Sequence, residues 1–82
     1  MNESKLRTYL KGRFARYSED LGADSSLDGI VDSLGLFELV EFVESESGVR
    51  IPMADFRPAR FSSIREILAF ADELRGQEKP VR

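Results

Sequence analysis

The residue of this chain whose surroundings point most directly to chemistry is a serine at the start of a predicted helix. Ser33 follows Asp32, whose carboxylate suits the N-cap position, and precedes Leu34. A serine hydroxyl is a poor nucleophile unless a base removes its proton. The sequence contains no histidine and no cysteine, so it lacks the usual base and has no thiolate chemistry of its own. We therefore expect Ser33 to be a substrate of another enzyme, and the chain not to be an enzyme itself.

The helix that would position Ser33 runs in our prediction from the Asp32 cap to Ser47, with Gly48 as its C-terminal stop. Apolar residues recur along it at intervals of three and four, which indicates one buried stripe; they are Leu36, Leu39, Val40 and Val43. The opposite face carries Leu34, Phe37 and Phe42 among its glutamates, where a simple surface helix would be polar.

Exposed apolar side chains next to a candidate site often mark a contact surface. We accordingly predict a docking face beside Ser33 formed by Leu34, Phe37, Glu38 and Glu41. The simpler alternative is that Phe37 is covered by the preceding loop and that the glutamates only increase solubility. We assign that simple role to Glu44 and Glu46.

The remaining periodic segments predict an all-α fold. A first helix is expected from the Asn2 cap to near Tyr17, followed by a long ordered loop over residues 18–31. Residues 53–56 are expected to form one short helical turn, with residues 57–60 as a connector. A last helix is capped by Ser63 and ends at Gly76. This predicts one domain over residues 1–76, with three main helices, one short helix and a flexible tail over residues 77–82.

Length and charge limit the possible functions. The 82 residues suffice for one small domain. The net charge of −3 conceals an acidic middle, because residues 18–56 hold ten acidic side chains and a single basic one. An acidic middle argues against nucleic acid as a ligand and favours a protein partner that presents Arg and Lys. No apolar run approaches the length of a membrane span, and we expect a soluble, cytoplasmic monomer.

These observations together resemble the features of a known protein family. The motif Asp32-Ser33-Leu34-Gly35, the acidic helix behind it and the run Gly48-Val49-Arg50-Ile51-Pro52 resemble an acyl or peptidyl carrier protein. The chain is most similar in look to small free-standing D-alanyl and aminoacyl carriers. The resemblance implies a four-helix bundle with a long first loop, and a 4'-phosphopantetheine arm carried by Ser33 between Asp32 and Leu34. Cargo would be held on that arm as a thioester.

The resemblance also implies partners. They are a phosphopantetheinyl transferase, an adenylating acyl- or aminoacyl-carrier ligase, and a downstream acyltransferase or synthase. Whether the cargo is an acyl group or an amino acid stays open. One position departs from the family, because Ser47 replaces a common aromatic and would lose about 2 kcal/mol of apolar burial unless Phe42, Phe56 or Phe61 fills the space.

Two other interpretations remain. Residues 24–32 follow the first positions of an EF-hand calcium loop, but Gly35 stands where a bidentate glutamate is required. The second interpretation is a helical adaptor that binds a partner through Leu34 and Phe37 without any modification. The reaction of the chain with coenzyme A and a transferase distinguishes the adaptor from the carrier.

Overall fold

The structure, a computed structural model, describes residues 1–52, 54 and 56–78, the last two of these in their backbone only. Its helices are α1 (Glu3–Arg13), α2 (Ser33–Ser47) and α3 (Ile64–Glu78), with a short 3₁₀ helix at Pro58–Phe61. The described residues contain no strand. The all-α prediction, three main helices plus one short one with a long first loop, is confirmed.

The connector predicted at residues 57–60 contains a short 3₁₀ helix, at Pro58–Phe61. Pro58 suits the first position of such a turn because its φ is already fixed and its missing N–H would have no partner there. The helical turn predicted at residues 53–56 involves residues 53 and 55, which lie outside the described part of the chain.

α1 begins where predicted and ends one turn early. The Lys5 N–H donates to Asn2 Oδ1 over 2.8 Å, so Asn2 is the N-cap. The helix stops at Arg13 instead of continuing to Tyr17, because Phe14 adopts an extended conformation (φ −121°, ψ 115°). The Phe14 ring is nevertheless buried, and Tyr17 returns towards the helix, where its hydroxyl accepts a bond from Arg7. Phe14 is therefore buried and Tyr17 half-buried, although both lie beyond the end of the helix.

The two ends of α2 follow the sequence prediction. The Gly35 N–H donates to Asp32 Oδ1 over 2.7 Å, which makes Asp32 the N-cap. At the other end Gly48 has φ 76°, a left-handed conformation that suits glycine, and its N–H donates to the Glu44 carbonyl. Ser33 is thus the first residue of the helix.

One core joins the three helices. Its completely buried residues come from all of them. These are Leu6, Leu10, Leu39, Val43, Ile64 and Ile67. Leu36 and Val40 of the predicted stripe are only half-buried, at its border.

The long loop between α1 and α2 is tied to the start of α3. Leu27 is buried, and its N–H donates to the Ser62 carbonyl over 2.8 Å. The Arg65 N–H donates to the Ala23 carbonyl over the same distance, and the Arg65 guanidinium forms an ion pair with Asp24. The loop is therefore ordered over the bundle, as its apolar anchors predicted.

α3 begins as predicted and extends further. The Glu66 N–H donates to Ser63 Oγ over 3.2 Å, in keeping with a Ser63 cap. The helix passes Gly76 and continues to Glu78. Gly76 is not among the glycines with a positive φ, so it does not end the helix. Residues 79–82 of the predicted tail lie outside the described part of the chain.

Hydrogen bonds hold the C-terminal end of α2 at Ser47, the position where the family that the sequence resembles commonly has an aromatic side chain. Ser47 is buried, and its hydroxyl accepts the Val49 N–H over 3.3 Å. Glu44, predicted to serve only solubility, instead accepts the Ile51 N–H on its carboxylate over 2.6 Å. Ile51 is buried. Glu44 and Ser47 therefore close the turn that returns the chain to the core.

Candidate functional site

Ser33 lies at the surface of the folded chain. It is exposed, as are its neighbours Asp32 and Leu34. The Asp32 carboxylate is engaged with the Gly35 N–H, so its observed role is to begin the helix. The hydroxyl of Ser33 is therefore open to another molecule, and the bundle does not cover it.

A close approach between α1 and α2 holds this corner in place. A Cβ added at Gly35 would overlap a ring carbon of Phe14 and would lie 3.0 Å from Asp32 Oδ1. The buried Phe14 ring therefore occupies the space above Gly35. This contact brings the end of α1 to the first turn of α2, next to Ser33.

A first cleft opens on the side of Ser33 that faces the 3₁₀ helix; we call it the 3₁₀ cleft. It has a volume of about 410 Å³. The first loop, the first turn of α2 and the 3₁₀ helix line it. The lining side chains mix apolar groups, such as Leu27, Leu36 and Phe61, with the hydroxyls of Ser26 and Ser62.

A second cleft opens on the side that faces the end of α1; we call it the arginine cleft. It has a volume of about 700 Å³ and is lined by Arg13 and Arg16 together with backbone and side chains of the loop. The two clefts share four lining residues, which form the wall between them: Asp28, Val31, Asp32 and Ser33.

The predicted docking face is exposed beside Ser33. The side chains of Leu34 and Phe37 are 71% and 55% exposed, and they are the large hydrophobic residues that the described part of the chain leaves most open. Glu38 is half-buried and Glu41 is exposed on the same helix. The preceding loop does not cover Phe37, which removes the simpler alternative for that residue.

Phe42 does not belong to the exposed face where the sequence analysis placed it. Its ring stacks on Tyr9 of α1, with centroids 4.1 Å apart and an interplanar angle of 12°. The Arg13 guanidinium lies over the Tyr9 ring of this stack, 5.6 Å from the ring centroid. The helical wheel placed Phe42 towards solvent because it could not include the neighbouring helix.

Arg13 links the end of α1 to the docking face. Its Nε lies 3.6 Å from Glu38 Oε1, and the two side chains are 53% and 40% exposed. Such a long, open ion pair contributes little to stability. The sequence did not predict this pair, because nothing local relates residue 13 to residue 38.

The acidic loop is organised by ion pairing. Asp24, the first residue of the EF-hand pattern, pairs with Arg65. Among the described residues, no group of three or more acidic side chains is placed to hold a metal ion. None of the helices in the described part of the chain combines the length and the apolar character needed to cross a membrane.

Comparison with known proteins supplies the family. No protein-family profile matches the sequence. The chain is, however, 35% identical over 80 residues to the probable acyl carrier protein PigG of Serratia sp. (strain ATCC 39006). The match covers 93% of this chain and 91% of the relative. With this identity over nearly the whole of both sequences, and with an all-helical fold that opens α2 on Asp32-Ser33-Leu34, the chain belongs to the acyl carrier protein family.

Proposed function

We propose that this protein carries an acyl or aminoacyl group as a thioester on a 4'-phosphopantetheine arm attached to Ser33. The observation that carries the proposal is the exposed Ser33 hydroxyl at the first turn of α2, in a chain that belongs to a carrier family. In this proposal the protein is a substrate of the enzyme that attaches the arm, and it carries the arm without catalysing a reaction itself.

The residues around Ser33 fit such a group. The hydroxyl is exposed, so a transferase can reach it. The two clefts beside it offer a long flexible arm apolar contacts, hydroxyls and cationic groups. When attached, the arm supplies the thiol that this cysteine-free chain lacks.

Ser33 contributes an oxygen and nothing more to the attachment reaction. Its Oγ forms a bond to the phosphorus that bears pantetheine in coenzyme A, the bond from that phosphorus to the adenosine-side phosphate breaks, and the hydroxyl proton passes to a base. The chain has no histidine to act as that base, and the Asp32 carboxylate is held by Gly35. The transferase must therefore supply the base and the metal ion.

Partner enzymes are proposed to dock on Leu34, Phe37, Glu38 and Glu41. Exposed apolar side chains rimmed by carboxylates fit a surface with an apolar hollow and basic neighbours. In our proposal these partners are the transferase, an adenylating ligase and a downstream acyltransferase or synthase. The protein is proposed to act as a cytoplasmic monomer.

The decisive experiment is a mass measurement. The purified chain is incubated with coenzyme A and a promiscuous phosphopantetheinyl transferase, and the intact mass is recorded. Wild type should gain the mass of one 4'-phosphopantetheine group, and Ser33→Ala should gain none. Ser45→Ala is the matched control, because Ser45 is an exposed serine on the same helix. Failure of wild type to gain mass would reject the carrier and leave the unmodified adaptor.

The class of cargo needs a second measurement. The name of the Serratia relative is that of an acyl carrier, which favours an acyl group over an amino acid here. Charging of the arm-bearing protein by adenylating ligases of the two classes, followed by intact mass, distinguishes them. A stable aminoacyl adduct with no acyl adduct would reverse this preference.

A further inference from the structure

We propose that the arginine cleft binds the phosphate through which the arm is joined to Ser33, and that Arg13 and Arg16 hold this phosphate. The inference rests on the proposed function, because it needs a phosphodiester at Ser33. It adds a binding site for an anionic group to the attachment serine, formed by a residue from the end of α1 and one from the turn that follows it. Their role is positioning, since neither residue takes part in the bond-making step.

The first argument is geometric. Arg16 follows α1 in the turn that the Tyr17 N–H closes on the Phe14 carbonyl over 3.0 Å. The Phe14 ring in turn fills the space over Gly35, two residues beyond Ser33. Since Phe14 is buried and fixed against α2, the arginines on either side of it are held at the edge of the same cleft as Ser33.

The second argument is one of charge. Attachment adds a negative group within the segment 18–56, which already holds ten acidic residues and one basic residue. Asp28 and Asp32 line the cleft, so a phosphodiester there meets carboxylates of the same sign. Arg13 and Arg16 are the two cationic side chains among the lining residues. They can offset this repulsion at short range, and guanidinium groups suit phosphate oxygens.

The existing contacts of Arg13 leave it able to turn to the phosphate. Its pair with Glu38 spans 3.6 Å between half-exposed groups, which is longer than a charge-assisted hydrogen bond. Its guanidinium lies over the Tyr9 ring, 5.6 Å from the ring centroid, and so stays near the cleft. Arg16 is exposed in the same cleft. The phosphate can therefore recruit both residues without breaking a strong bond.

The test compares the chain before and after arm attachment by NMR, after intact mass has shown complete attachment. The probes are the phosphorus resonance of the phosphodiester and the side-chain Nε–H signals of the arginines. The variants are Arg16→Gln, the double variant with Arg13→Gln, and Arg50→Gln as a charge-matched control. Arg50 lies beyond the other end of α2, which has 15 residues and is therefore about 22 Å long.

Attachment should shift the Nε–H signals of Arg13 and Arg16, and the phosphorus resonance should move in the double variant but not in Arg50→Gln. The Tm of the arm-bearing protein relative to that of the unmodified chain should also be lower in the double variant than in wild type, by about 2–4 °C at low salt. A fully attached protein whose arginine signals do not shift would overturn this inference and leave the proposed function intact. A chain that accepts no arm at all would overturn both.

Discussion

At the scale of single residues, Gly35 is the position near Ser33 where Phe14 packs too closely to leave space for a side chain. We expect Gly35→Ala to destabilise the fold by about 1–3 kcal/mol, because the new methyl group overlaps the buried Phe14 ring. Urea denaturation measures this loss. Gly12→Ala is the matched control, since a Cβ there meets nothing within 4 Å on the exposed side of α1. That change should stabilise the fold by up to about 1 kcal/mol. Equal stability of Gly35→Ala and wild type would contradict the packing described.

The roles of the caps could be predicted from sequence, and the role of Gly35 could not. Asp32, Asn2 and Ser63 act on N–H groups three residues away in the chain, so their residue types alone indicated the caps. The need for glycine at position 35 arises from Phe14, which is distant in sequence. Local patterns do not contain contacts of that kind.

At the scale of elements, α2 carries two phenylalanines in opposite situations. Phe37→Ala should change the free energy of unfolding by no more than about 0.5 kcal/mol, because the ring is 55% exposed. It should still lower kcat/KM for arm attachment by about fivefold or more if the ring is a docking contact. Phe42→Ala should show the reverse, with a loss of about 1–2 kcal/mol of stability from the Tyr9 stack. Transferase kinetics and urea denaturation on both variants measure the contrast. Unchanged kinetics of Phe37→Ala would remove it from the docking face.

The C-terminal end of α2 allows a separate prediction. Glu44→Ala should cost about 1 kcal/mol or more, because the Ile51 N–H loses its acceptor next to a buried side chain. Glu44→Gln keeps an acceptor oxygen and should lose less. Glu41→Ala, on the exposed side of the same helix, is the control and should stay near wild type in thermal unfolding. A Glu44→Ala variant as stable as Glu41→Ala would show that the bond to Ile51 contributes nothing.

Periodicity predicted the three long helices because burial repeats with the helical turn. It did not predict where α1 stops, since the chain leaves the helix at Phe14 while the ring continues the same buried stripe. It also placed Phe42 towards solvent. Both errors arose because a helical wheel treats one helix alone, and the neighbouring helix decides these positions.

At the scale of the whole molecule, ion pairs connect parts of the chain that lie far apart in sequence. Arg65 lowers the pKa of Asp24, mainly through hydrogen bonding. Arg60 lowers the pKa of Glu73 in the same way. A carboxylate whose pKa falls on folding stabilises the fold above its unfolded value, and that contribution disappears as the pH drops through the lowered folded value. The ordinary values here are 3.8 and 4.5.

We therefore expect the urea midpoint of wild type to decline as the pH is lowered below these values. Asp24→Asn should start lower at neutral pH and lose less on acidification, because the titrating partner of Arg65 is gone. Arg65→Gln should reproduce this flatter profile. Parallel profiles for wild type and both variants would show that the Asp24–Arg65 pair does not couple folding to pH.

The distribution of charge along the chain could be predicted from the sequence, but the ion pairs between these charged side chains could be identified only in the structure. The sequence shows the acidic middle segment, yet its contacts with basic residues, such as Glu46 with Lys5 and Glu19 with Lys11, depend on how the helices and the first loop pack. The same holds for Arg13 and Glu38. The proposed docking face thus contacts a cation that comes from another helix.

The shared wall between the 3₁₀ cleft and the arginine cleft gives the proposed arm a choice of two neighbouring surfaces. Because Ser33 lies on that wall, an arm attached there can lie along one cleft while the other stays empty. In the proposed carrier, a cargo can therefore rest against the apolar side chains of Leu36 and Phe61 while the docking face on α2 stays open to an enzyme.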